Sequence, residues 1–166
     1  MRILALDLGT TTGWALQDDD LRASGSWQLA TPKEIREQAK ADKNRCCDCR
    51  FGRLQSHVHK LAPIGVIYFE DVEFSTYTYQ TQLWAGFRTV LTLMYPSFVP
   101  KLVAVPVGTL KQFATGKGNA TKDMMEQALR LDSYYKSKVA LTLVDDNEVD
   151  ALHLLRYAIK KETYGK

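Results

Sequence analysis

Residues 2–17, RILALDLGTTTGWALQ, constrain the fold more than any other stretch of the chain. Ile3, Leu4, Ala5 and Leu6 form an apolar run of strand length. The run ends in one acid, Asp7. Leu8, Gly9, three threonines and Gly13 then lead into a second apolar run, Trp14, Ala15 and Leu16. Gly9 and Gly13 admit a tight turn with little side-chain bulk, so the spacing predicts a hairpin. A carboxylate at the end of a buried strand costs free energy unless something binds or pairs it. Asp7 is therefore either a turn-capping residue, as is common at strand ends, or an active-site carboxylate facing a metal ion or a phosphate.

The rest of the chain supplies an α/β order of elements. Asp18, Asp19 and Asp20 make a polar hairpin tip, and residues 23–29 read as a third strand in which Trp27 and Leu29 alternate with Ser26 and Gln28. Thr31, Pro32 and Glu34 open a helix with an N-cap, a proline in the first turn and an acid to match the dipole. That helix is expected to run to His59 with a disturbed middle, the weakly apolar residues 42–49 being open to a loop reading. Val66, Ile67, Tyr68 and Phe69 make a fourth strand, which also ends in acid: Glu70, Asp71, then Glu73. Leu83, Phe87, Val90, Leu91 and Met94 fall at helical spacing. Residues 101–107 give a fifth strand, and residues 108–114 a short helix. A glycine-rich basic loop follows, then a helix capped by Thr121, a link at residues 141–143, and a last helix from residue 145 to Ile159. The result is a single mixed sheet, with hairpins first and crossovers later.

At 166 residues the chain fits one domain, expected to be 1–166. No apolar run approaches the ~20 residues needed to span a bilayer, and the N-terminus has no signal-peptide pattern. Three cysteines, crowded at 46, 47 and 49, make no disulfide framework. A reducing cytosol is the expected setting. The net charge of +3 is unevenly spread: residues 33–60 hold eight Lys/Arg against four Asp/Glu, and residues 101–140 seven against three. The acids gather elsewhere. Two basic segments flanking an acidic centre suit a nucleic-acid enzyme, although a modest lysine excess also describes an ordinary solvated surface.

If the first and fourth strands are neighbours, Asp7 and Glu70 share one edge of the sheet, where open α/β sheets place their sites. The last helix adds Asp146 and Asp150, four residues apart and so on one face. Asp146 at the N-cap would sit by the positive end of the helix, and Asp145 reads as a solvated neighbour. Taken singly, Asp146 is also explained as a cap and Asp150 as a helix-surface acid. Ala151, Leu152, Leu154 and Leu155 make the turns after Asp150 almost wholly apolar, however, and an acid heading so buried a helix needs a partner. Grouped acids repel one another unless a cation neutralises them. Hard oxygen donors suit Mg²⁺ or Mn²⁺, and two such ions about 4 Å apart can hydrolyse a phosphodiester.

Four stretches carry a family resemblance: LALDLGTTTGWAL at 4–16, IYFEDVEF at 67–74, VGTLKQFATGKGNATKDMMEQAL at 107–129 and DDNEVDALHLL at 145–155. In order and spacing they resemble RuvC-type Holliday-junction resolvases of the ribonuclease-H-like superfamily, especially the compact phage versions. The resemblance implies an α/β ribonuclease-H-like fold, a central five-stranded mixed sheet flanked by helices. It implies that Asp7, Glu70 and Asp150 are catalytic, metal-binding carboxylates holding Mg²⁺ or Mn²⁺, two ions per site. The family's remaining ligand usually lies three residues before the last acid, where this chain has Asn147. Asp146 is favoured as the catalytic and metal-binding fourth ligand because it carries charge, with Asn147 and Asp145 left open. Lys111 and Lys122 match the family's lysines beside the scissile phosphate, Lys122 being the one taken as catalytic. Family members are homodimers acting on four-way DNA junctions, and residues 83–94 correspond to the pairing helix, a stripe that core packing explains equally well. The family also inserts an aromatic at the junction centre, for which Phe74, Tyr77 and Tyr79 are candidates, Phe74 and Tyr77 foremost. Stacking of a base on such a ring is worth ~1–3 kcal/mol. A bacterial or phage-infected host cytosol goes with this reading.

Gly116-Lys117-Gly118 lacks the full P-loop spacing and the hydroxyl residue after lysine, so no nucleotide cofactor is expected; the loop, with Lys117, instead lets backbone approach DNA phosphate. Arg50 and Arg53, with Arg45 and Lys60, read as phosphate contacts or plain surface. Cys46, Cys49, His57 and His59 can be drawn as a zinc set, but the spacing fits no known finger. His153 reads as a core or surface residue. Three rival functions remain: a sugar-kinase-like ATPase, which needs two domains and a second phosphate loop; a RuvC-like ribonuclease acting on RNA precursors or RNA–DNA hybrids; and a non-catalytic branched-DNA-binding module.

Overall fold

The computed structural model describes residues 1–19, 21–42, 47–72, 77–132 and 145–164. Five strands form one sheet in the order β3-β2-β1-β4-β5. They are β1 (Ile3–Asp7), β2 (Thr11–Asp18), β3 (Leu21–Gln28), β4 (Val66–Asp71) and β5 (Leu102–Pro106). The first three pair antiparallel as a meander, while β4 and β5 join β1 in parallel. The expected α/β mixed sheet is present. Strand alternation sorts its side chains onto two faces. Leu4, Leu6, Ile67 and Phe69 face α2 (Cys49–Lys60) and α3 (Thr78–Met94), meeting Leu54, Val58, Phe87, Leu91 and Met94. Ile3, Ala5, Val66 and Tyr68 face α4 (Val107–Thr115), α5 (Lys122–Leu131) and α6 (Asp146–Tyr164). Each fully buried Leu, Ile or Phe contributes roughly 1.5–3 kcal/mol by leaving water.

Helix α6 is apolar nearly all round, with Val149, Ala151, Leu152, Leu154, Leu155 and Ala158 buried, so it lies across the middle of its face. Its contacts run chiefly to β1 and β2. Helix α1 (Pro32–Ala41) begins in a capping box: Thr31 Oγ1 accepts from the Glu34 N–H, and the Glu34 carboxylate accepts from the Thr31 N–H. Thr121 caps α5, as expected, its Oγ1 accepting from the Met124 N–H without a reciprocal partner.

Several boundaries differ from the sequence reading. The segment read as a helix with a disturbed middle or a loop is two helices, α1 and α2, the second capped by Asp48. Helix α3 begins at Thr78, because its first turns are exposed and carry no apolar stripe to announce them. Strand β3 begins at Leu21 and ends before the buried Leu29, and α6 continues past Ile159 to Tyr164. The link expected at 141–143 lies outside the described residues. Among the described residues, no helix is long and apolar enough to cross a membrane.

Candidate active site

Leu6 pairs with Phe69 in the parallel β1–β4 ladder, so Asp7 and Glu70, one residue further on, lie side by side at the same strand ends. By alternation both side chains share the face of Ala5 and Tyr68, the face covered by α6. The Asp7 and Glu70 carboxyls are hydrogen-bonded to each other, and Asp150 of α6 lies within electrostatic reach of both. The three acids expected from the sequence are therefore brought together by β1, β4 and α6.

Their electrostatics follow from that crowding. Burial first, then repulsion from Glu70 and Asp150, holds the Asp7 pKa well above the usual carboxylate range. Burial and Asp150 push Glu70 up to about 7, while Asp7 and Lys111 pull it back. Burial pushes Asp150 up to about 6, opposed by Lys122 and Lys111. Lys111 and Lys122, from α4 and α5, thus face the carboxylates. Their charges partly offset the repulsion. Among the described residues, no group of three or more His, Cys, Asp or Glu side chains stands ready to hold a metal ion. The donor chemistry nonetheless suits one: three carboxylates, all oxygen, each held above its ordinary pKa chiefly by burial and further by neighbouring acids, a cost that a hard cation would relieve.

The start of α6 corrects two expectations. Asp145, read as solvated, is the cap: its Oδ1 accepts the Glu148 N–H at 3.0 Å and the Ser26 hydroxyl at 2.6 Å. Although burial pushes its pKa upward, those donors hold Asp145 below its usual range. Asp146, expected at the N-cap, is instead the first helical residue, 54% exposed and paired with Lys122 Nζ at 2.9 Å. It is near enough to raise the Asp150 pKa. The buried Glu148 accepts the Ser24 hydroxyl at 2.7 Å, so β3 latches this helix through two serines on one strand face.

Gly13 completes the latch. It lies within β2, opposite Asp7, and not in the turn. A Cβ there would fall 1.9 Å from the Asn147 carbonyl oxygen, so only glycine lets the first turn of α6 press against β2. Thr12 closes the true turn, its hydroxyl donating to the Gly9 carbonyl at 2.8 Å. Gly13, Ser24, Ser26 and Glu148 were missed as site residues. The polar Ser24–Ser26 alternation in β3 was the one available signal.

The remaining expectations divide. Tyr77 is exposed at the head of α3, Lys117 is exposed in the loop after the αL cap Gly116, and Phe74 lies outside the described residues. Arg50 does not offer itself to phosphate: it is 3% exposed, and its donors go to Asp48, Thr10 and Tyr79. Arg53 is spent partly on the Leu29 carbonyl and Glu34. The helical stripe of Phe87, Leu91 and Met94 is core, so those side chains are not a pairing surface. His57 stacks on Trp27 at 4.7 Å while His59 meets Phe98 edge-on at 4.4 Å, on different faces of α2. Of the zinc set, Cys46 lies outside the described residues, and among the described residues Cys49, His57 and His59 are not grouped as metal ligands. His153 is core: it bonds the Met125 carbonyl at 2.8 Å, and burial pushes its pKa down to about 4.

No protein-family model matches the chain, and no curated protein sequence matches it. Solved structures do. Thermus thermophilus RuvC superimposes with a TM-score of 0.65 at 18% identity, covering 98% of this chain and 96% of that one. RuvC of the same organism in complex with Holliday junction substrate gives 0.64 at 17% identity, covering 93% and 90%. The yeast mitochondrial Holliday junction resolvase Ydc2 gives 0.57 at 13% identity, covering 98% and 82%. The likeness is one of fold, and the fold is ribonuclease-H-like.

Proposed function

We infer that this chain, as a single nuclease domain spanning 1–166, is a divalent-metal-dependent endonuclease that cuts DNA phosphodiesters at four-way junctions. One observation carries the reading: Asp7 and Glu70 end adjacent parallel strands, and Asp150 is set over them by a helix latched to the same sheet. The fold shared with RuvC supports it, since one of those structures was solved with Holliday junction substrate.

Asp7, Glu70 and Asp150 would hold Mg²⁺ or Mn²⁺, two ions in all, with Asp146 joining them once released from Lys122. Bound there, the ions supply an activated water and stabilise the leaving oxygen. The chain's own groups do the rest. Lys122 and Lys111 set ammonium charge beside the scissile phosphate, where developing negative charge is worth most to neutralise. The amide end of α6 adds its dipole. Tyr77, with Phe74 as the other candidate, would stack a base at the junction centre, and Lys117 would meet backbone phosphate. Pairing into a homodimer uses the outer side of α3 and the residues after it, where Leu93 (77% exposed), Tyr95 and Phe98 stand in solvent. The reading places the protein in the cytosol of a bacterium or phage-infected host.

The test is cleavage of a synthetic four-way junction, a linear duplex and an RNA–DNA hybrid, each with Mg²⁺, Mn²⁺ or chelator. Junction-selective, metal-dependent cutting that is lost in Asp7→Asn is expected. Equal cutting of hybrid and junction would favour the ribonuclease instead, and cutting that persists in Asp7→Asn would overturn the assignment of the site.

A further inference from the structure

Arg50 presents a buried charge that the nuclease chemistry does not use. Among the described residues, no other Lys or Arg is fully buried. Taking a guanidinium out of water is costly, and an apolar side chain would fill the same space with less penalty. The Asp48 carboxylate offsets that charge, accepting from Nε at 2.9 Å and from Nη2. The two remaining bonds are long-range. Nη1 donates to Thr10 Oγ1 at 2.8 Å, and Nη2 donates to the Tyr79 hydroxyl. Thr10 belongs to the turn that follows Asp7, and Tyr79 to the first turn of α3, the helix that follows the Glu70 strand. Helix α3 grips that same turn a second time, through Trp84 Nε1 on the Leu8 carbonyl at 3.0 Å. One side of Arg50 borders a cavity of about 420 Å³ lined also by Asp48, Phe51 and Tyr79. Hydrogen bonds, more than packing, therefore hold the guanidinium in place.

We propose that Arg50 is a positioning residue, its planar fork tying the turn after Asp7 to the helix after Glu70 and so setting the spacing of those two carboxylates. This rests on the nuclease reading. Lysine could balance Asp48 but could not reproduce three directions from one rigid plane. The arrangement acts as an outer shell to the carboxylates, the kind of support whose loss typically weakens metal binding or turnover by 10–100-fold.

The experiment uses the full chain and the mild variants Thr10→Val and Tyr79→Phe, singly and together, with Thr10→Ser as the conservative control. Two quantities are read: Mn²⁺ affinity without DNA, by calorimetry, and kcat and KM for junction cleavage. Thr10→Val is expected to weaken Mn²⁺ binding and lower kcat by about tenfold, with KM held within about twofold. Thr10→Ser restores both. The double variant is expected to be no worse than the poorer single one, because both act through one guanidinium. Variants that melt lower while keeping wild-type Mn²⁺ affinity and kcat would overturn the proposal and leave the nuclease reading standing. A wild-type protein that neither binds Mn²⁺ nor cuts junctions would overturn both.

Discussion

Gly13→Ala is the most informative single perturbation of this fold. The new Cβ would sit 1.9 Å from the Asn147 carbonyl oxygen, 2.3 Å from its carbon and 3.0 Å from the Glu148 nitrogen. All three are backbone atoms, so none can swing aside. Bringing the Cβ–oxygen pair from 1.9 Å to an ordinary contact of about 3.3 Å moves the start of α6 by about 1.4 Å relative to β2. Asp150 lies just beyond that first turn and moves with it. A misplacement of about 1 Å can cost ~100-fold in rate, so kcat for junction cleavage should fall by at least about 100-fold. Overpacking of this kind costs about 1–3 kcal/mol, or ~2–12 °C in melting temperature for a chain of this size. The assays are single-turnover junction cleavage and thermal unfolding of the same preparation. Gly52→Ala is the control: nothing lies within 4 Å of the added methyl at this exposed position of α2, so it should gain about 0.5–1 kcal/mol from reduced chain entropy and cut normally. Gly13→Ala retaining turnover within about twofold of wild type would refute the claim that close approach of α6 to β2 positions Asp150.

Other consequences are equally direct. Glu70 is raised to about 7 in the folded chain from an ordinary 4.5. The native state therefore binds more protons than the unfolded one between those values, and Glu70 costs the metal-free protein stability as pH rises through them. His153, lowered to about 4, works in the opposite sense, its contribution being lost as pH falls below about 6.5. The sign is therefore read by difference: Glu70→Gln should melt progressively higher than wild type as pH is taken from about 4.5 to about 7, and a constant difference would contradict it. Asp146→Ala should change stability by no more than about 0.5 kcal/mol, because its pair with Lys122 is exposed. It should nevertheless lower Mg²⁺-dependent cleavage; unaltered cleavage would remove Asp146 from the metal set.

The contrast between what was and was not legible in the sequence has a physical pattern. Strand and helix identities came from local periodicity and caps: Ile3 to Leu6 and Val66 to Phe69 as apolar runs, and Thr31 and Thr121 as N-caps. Asp7, Glu70 and Asp150 were legible because an acid at the end of a buried element is locally anomalous. What was missed depends on contacts between distant segments. Nothing near Gly13 announces that a helix more than 130 residues later presses on it, and nothing near Arg50 tells that Thr10 and Tyr79 will enclose its guanidinium. The confusion of Asp145 with Asp146 has the same origin: either acid could cap α6, and the choice is made by Ser26 on a remote strand. The apolar stripe of α3 was recognised as helical, but period alone cannot tell a core face from a pairing face.

The central claim is that Asp7, Glu70 and Asp150 form one divalent-cation site. Crystals grown or soaked with Mn²⁺ and measured for anomalous scattering test it most directly. Density bounded by those three carboxylates, with the Asp7–Glu70 hydrogen bond broken, is the predicted result. Mn²⁺ bound elsewhere on the chain, with Asp7 and Glu70 still bonded to each other, would contradict it.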